Sequence, residues 1–242
     1  MVDMMYAAAV MAFAPTLLLM YAVLRNYTYP KVQQPFFSDP ALFGLFAIGL
    51  VAGTLLFAAY TWLNWSNMIY MALFAAIECL VMVAVLNLKR FHGKSDTVFY
   101  GYGLGLGIGC AFALGTAFYL GTAILGIDDA GGVDAAGYIW LFIISASHVL
   151  MLSSIGTTVG EGIARLRPME YALQAVMVNV VFALVLAAAY NSTESGIIFY
   201  ASIIVAFVIA AANFYLTMHV RLSKVIRDVL RMEGNHRKDV PK

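Results

Sequence analysis

With 242 residues, 63% of them apolar and 11% charged, and a mean hydropathy of +0.87, the chain lies far outside the composition of a soluble domain. Such a balance excludes a water-soluble enzyme or a nucleic-acid-binding module and points to a polytopic membrane protein whose first partners are membrane lipids. The net charge of +1 selects no partner by itself.

Seven apolar runs can be drawn, over 5–24, 41–63, 68–87, 97–121, 137–160, 171–190 and 196–220. At about 1.5 Å rise per residue each reaches across a hydrocarbon core of about 30 Å, some with tilt. Strands of that length without alternation would leave backbone groups unpaired in lipid, so the runs are helices. The expected fold class is all-α: seven transmembrane helices forming one transmembrane domain over 1–220, followed by a basic cytoplasmic tail over 221–242. Arg25 and Lys31 fall in the first loop, Lys89, Arg90 and Lys94 in the third, Arg165 and Arg167 in the fifth, and every other basic residue in the tail. The second, fourth and sixth loops hold none, and the last two carry Asp128, Asp129, Asp134 and Glu194 instead. The positive-inside rule then predicts an outside N-terminus and a cytoplasmic C-terminus in the cell membrane. Six or eight spans would break this separation.

The first run contains Pro15, which usually kinks a helix and frees a carbonyl for a neighbour. It lacks a basic leader and is long enough to span, so no cleavable signal peptide is expected. The loop over 25–40 carries Tyr27, Tyr29, Phe36 and Phe37, aromatics suited to the membrane interface. Cys79 and Cys110 lie inside apolar runs and read as small apolar side chains. In the fourth run, GYGLGLGIG sets Gly101, Gly105 and Gly109 in one row at spacing four and Gly103 and Gly107 in another. At about 100° per residue the two rows are roughly opposite, which predicts a helix wedged between two close neighbours. A phosphate-binding loop is a poor alternative, because nothing resembling a strand precedes the glycines. Past residue 220, Arg221, Lys224, Arg227 and Arg231 alternate with Leu222, Val225, Ile226, Val229 and Leu230. That pattern predicts a continuing helix that either lies along the anionic leaflet or stands solvated.

One carboxylate interrupts the third run, MIYMALFAAIECLVMVAVLN, at Glu78, and no other Asp, Glu, Lys or Arg falls inside any of the seven. A charge at the centre of a membrane helix costs about 2.5–3.5 kcal/mol on insertion scales, so Glu78 needs a partner, a proton or a wet cavity. Counting along the runs places Glu78, His148 and Asn179 near the middle of the bilayer. The expected arrangement is a buried polar cluster of these three, with Glu78 protonated or paired with His148 and the hydroxyls of Ser145, Ser147, Ser153 and Ser154 extending the network. One Glu and one His are too few for a metal site, so no metal and no cofactor are expected. His92, His219 and His236 fall at or beyond the cytoplasmic boundary and read as surface residues.

The segments IECLVMVAVLNLKRF, DTVFYGYGLGLGIGCAFALGTAFY and SHVLMLSSIGTTVGEGIARLR resemble, in order, the motifs of the superfamily of PrsW-type and CAAX-processing intramembrane proteases. Those enzymes pair a double Glu, closely followed by a basic residue, with further motif residues and His on later helices. Here the double Glu is Ile77–Glu78, no Lys or Arg follows before Lys89, and the acidic residue of the second motif is absent. Glu78 and His148 are the matching members of the active-site set. The chain is most similar to a non-catalytic branch, the anterior-pharynx-defective subunit of γ-secretase, as an archaeal or bacterial-like homologue. The likeness lies in AFAPTLLLMYAVL, the Glu of the third helix, the glycine-rich fourth, the His of the fifth and HVRLSKVIRDVL at the tail. The second intramembrane His of that family, on the sixth helix, is replaced near Asn179.

The resemblance implies a scaffold that holds a partner membrane protein such as a presenilin-type aspartyl protease. The alternative is an active intramembrane protease using Glu78 and His148, and third comes a small-molecule transporter, for which no inverted repeat is visible. A retinal protein is excluded, since the run over 196–220 has no Lys to form a Schiff base.

Overall fold

The computed structural model describes residues 2–63, 67–123, 135–192, 196–234 and 240–241. Asp128, Asp129, Asp134, Glu194 and His236 lie outside the described residues. The helices are α1 (Val2–Leu24), α2 (Asp39–Trp62), α3 (Met68–Leu86), α4 (Asp96–Ala123), α5 (Ala135–Ala164), α6 (Pro168–Tyr190), α7 (Gly196–Tyr215) and α8 (Leu222–Met232). A short 3-10 turn, Lys89–Phe91, precedes α4, and a π-helical turn, Leu216–Arg221, joins α7 to α8. The first seven are long and apolar enough to cross a membrane, and the protein is an integral membrane protein.

Glycine decides which helix is central. Every residue of α4 from Thr97 to Ala113 is buried, as is every residue of α5 from Met151 to Ala164. The first glycine row of α4 faces α5: a Cβ on Gly109 would stand 3.0 Å from the His148 carbonyl oxygen, and one on Gly101 or Gly105 would press into the carbonyls of Gly156 and Leu152. The second row faces α2, where a Cβ on Gly103 would meet Leu42 at 3.0 Å and one on Gly107 would meet the Phe46 carbonyl. Both neighbours answer with small residues of their own, Gly156 and Gly160 on α5 and Gly49 and Gly53 on α2. Backbones that approach this closely gain dispersion contacts that lipid tails cannot match. α1 also packs on α4, α6 and α7 pack on α5 and on each other, and α3 lies chiefly against α6. α1 runs unbroken through Pro15, and the Thr16 hydroxyl donates to the Ala12 carbonyl at 2.7 Å.

Because successive spans alternate in direction, all described Lys and Arg residues gather at one end of the bundle, here termed the basic end. Two expectations fail there. Of the loop aromatics, only Tyr29 is turned outward; Tyr27, Phe36 and Phe37 are buried around Phe99 of α4, with Tyr27 and Phe37 ring centroids 5.0 and 5.1 Å from it. These three rings plug the bundle instead of facing outward, because α4 presents a large aromatic side chain, Phe99, between α1 and α2. The tail helix likewise turns its apolar side to the bundle and not outward. The apolar side of α8, Leu222, Val225, Ile226, Val229 and Leu230, is buried in the same core, and Lys224, Arg227 and Arg231 face outward. Ser223 shares a 3.1 Å hydrogen bond with the Tyr27 hydroxyl, and Glu233 accepts a hydrogen bond from the Ser95 amide at the entry to α4.

Candidate functional site

Since α3 packs mainly on α6, the polar residue that meets Glu78 is the one α6 supplies. The Asn179 amide donates to Glu78 Oε2 at 2.7 Å and to the Ala75 carbonyl at 3.0 Å, stitching the two helices together. Glu78 is 7% exposed and Asn179 1%, so this bond lies within the packed interior, where a lone carboxyl or amide would lose water without compensation.

His148 joins the same cavity but not the bond. It approaches from α5, its ring 5.6 Å from Phe182 of α6 and 6.0 Å from Phe112 of α4, and its Nδ1 is buried with no hydrogen-bond partner. No hydrogen bond or ion pair links it to Glu78: the three residues expected to cluster line one cavity, and of the arrangements expected for Glu78 the His148 pair is not formed, its hydrogen bond coming from Asn179. The reason is azimuthal, because Phe112 and Phe182 occupy the space beside the imidazole while Asn179 sits directly across the α3–α6 seam. The shared cavity holds only about 40 Å³, enough for a water or two and too small for a peptide. Tyr60, Met71 and Tyr190 line it as well, so it runs from mid-helix towards the end opposite the basic one. Its polar lining of Tyr60, Thr116 and Tyr190 went unread in the sequence, since single Tyr and Thr residues in apolar runs carry no signal of what they face.

The serines of α5 do not extend this cluster. Ser147, Ser153 and Ser154 donate to carbonyls one turn back on their own helix, and Ser145 donates to Ala113 of α4 at 3.3 Å. Ser154 also accepts from the Asn213 amide at 2.6 Å, a link between α5 and α7 that the sequence did not reveal. A second polar centre emerges at the basic end. α5 continues past residue 160 and carries Glu161 into the buried interior, where its carboxylate meets Arg165 Nε at 2.9 Å and Arg221 Nη2 at 3.3 Å. Arg165 in turn reaches Asp228 of α8 at 3.0 Å. Ending the fifth run at residue 160 hid this acid from the sequence reading.

Among the described residues no three of His, Cys, Asp and Glu converge as metal ligands. Chemically, the cluster can hold a proton or a water between helices, and the two hydrogen bonds of the Asn179 amide can lock α3 to α6. Removing the donor should show this: Asn179→Ala is expected to lower stability by about 1–2 kcal/mol, with a coupling to Glu78→Ala of about 1 kcal/mol in a double-mutant cycle read by thermal unfolding in detergent. Strictly additive losses would mean that the bond contributes nothing. No protein-family model, curated protein or solved structure matches the chain.

Proposed function

We propose that this protein is a non-catalytic scaffold subunit of a membrane complex, resembling the anterior-pharynx-defective subunit of γ-secretase and stabilising a partner membrane protein such as a presenilin-type protease. It sits in the cell membrane with its N-terminus outside and its basic end in the cytoplasm, the orientation that its basic loops favour. The observation that carries this reading is the engagement of Glu78 by Asn179. A helix-to-helix hydrogen bond to this acid, beside a cavity sized for water, supports a packing role over attack on a peptide. The serine hydroxyls of α5 are bonded to backbone carbonyls, and α2 and α7 keep most of their surface turned outward, where a partner helix can lie.

Co-purification from native membranes in mild detergent tests it. A membrane protein should be recovered in fixed ratio with the chain, and recovery of a lone monomer would remove the reading. A protease is the second possibility, kept because Glu78 and the unpaired His148 Nδ1 line one cavity. It requires that the parent cleave a membrane substrate, with or without added zinc, and that Glu78→Gln abolish cleavage while leaving folding intact. Under the scaffold reading no cleavage is seen in either.

A further inference from the structure

α1 and α2 both pack on α4, yet between them remains an open groove of about 660 Å³, within the size range of ligand sites. Its walls are apolar along the helices: Leu17, Met20 and Leu24 on one side, Leu42 and Phe43 on the other. The chemistry changes at the basic end. There Arg25 and Lys31 line the mouth, both exposed and neither ion-paired among the described residues. The Arg25 guanidinium lies 5.9 Å from the Tyr21 ring centroid, and the Lys31 ammonium donates to the Asn26 side-chain oxygen at 2.5 Å. One acid, Asp39, shares the lining and leaves the mouth net positive.

We infer that this groove is a binding site for an anionic phospholipid, with the headgroup phosphate held by Arg25 and Lys31 and an acyl chain lying between α1 and α2. An apolar slot inside the bilayer is filled by lipid in any case; the two cations at its polar end select the charge of that lipid. A guanidinium offers paired donors to a phosphate, and a nearby ammonium adds a second charge on a flexible stem. Each cation near the surface favours an anionic headgroup, and the pair together suffices for roughly tenfold to thirtyfold selection. This assignment is independent of the scaffold reading, because it concerns what occupies the groove and not what the bundle supports.

The test is native mass spectrometry of the intact protein released from nanodiscs containing phosphatidylglycerol and phosphatidylcholine of matched chains in equimolar amounts. One phosphatidylglycerol should be retained in preference by about tenfold or more. Arg25→Gln/Lys31→Gln should abolish the preference, whereas Arg90→Gln/Lys94→Gln, which removes equal charge from the loop before α4, should leave it intact. Leu17→Ala/Phe43→Ala should weaken retention of both lipids without changing their ratio, which separates the slot from the charges. Equal retention of the two lipids by the parent, or equal loss in both charge-removed pairs, would overturn the site. So would displacement of the lipid by inorganic phosphate alone, since that would make it a site for a soluble anion.

Discussion

Gly105→Leu is expected to prevent formation of the α4–α5 seam and to be among the most damaging single changes in the protein. At this position a Cβ already presses into the Leu152 carbonyl and stands 3.0 Å from Ser153 Cα, both of them backbone, so no side-chain rotation relieves the clash. The two helices would have to separate along their buried length, and the loss should reach the upper end of the overpacking range, about 3 kcal/mol. Gly44→Ala provides the contrast. That glycine has nothing within 4 Å of its would-be Cβ, and the substitution should be neutral or stabilise α2 by up to about 1 kcal/mol through helix propensity. Thermal unfolding of the two variants in the same detergent decides the matter, and a Gly105→Leu protein that melts with the parent would refute the close-packed seam.

Glu161→Ala should release α8 from the bundle. The carboxylate is the hub of the Arg221–Glu161–Arg165–Asp228 chain, with 6% of its side chain exposed, while Arg165 and Arg221 keep 24% and 42% and can recover water when it is gone. The expected loss is therefore about 2 kcal/mol, between the small contribution of a surface pair and that of a fully buried one. The effect should be local. Amide exchange across Leu222–Met232 should rise while that of α4 stays slow, and high salt should narrow the gap between variant and parent by screening the Arg221–Glu161 contact, which only the parent makes. Unchanged exchange in α8 would show that its apolar face alone holds it down.

These outcomes mark where a linear reading reaches its limit. The opposed glycine rows were legible because helical period alone sets them on opposite sides, and the partners they meet differ only in name. The Glu78 partner was not legible: Asn179 and His148 are both polar groups at similar depth, and depth is all that counting along a run supplies. Glu161 was missed for a simpler reason, since a hydropathy boundary drawn at the last apolar residue cannot see that a charged continuation stays buried under a later helix. The amphipathic pattern of α8 signalled an apolar face but not the surface that would cover it.

By itself the sequence determined that the chain crosses a membrane as seven helices, where each begins and ends to within a few residues, and that its basic residues collect on one side. Those properties follow from the free energy of each segment against lipid, which is a sum over neighbours in the chain. Tertiary structure alone decided that α3 leans on α6, so that Asn179 and not His148 binds Glu78, and that α8 folds back over Glu161. Which helices become neighbours, and which azimuth each presents, depends on close contact between residues distant in sequence, and hydropathy carries no term for that.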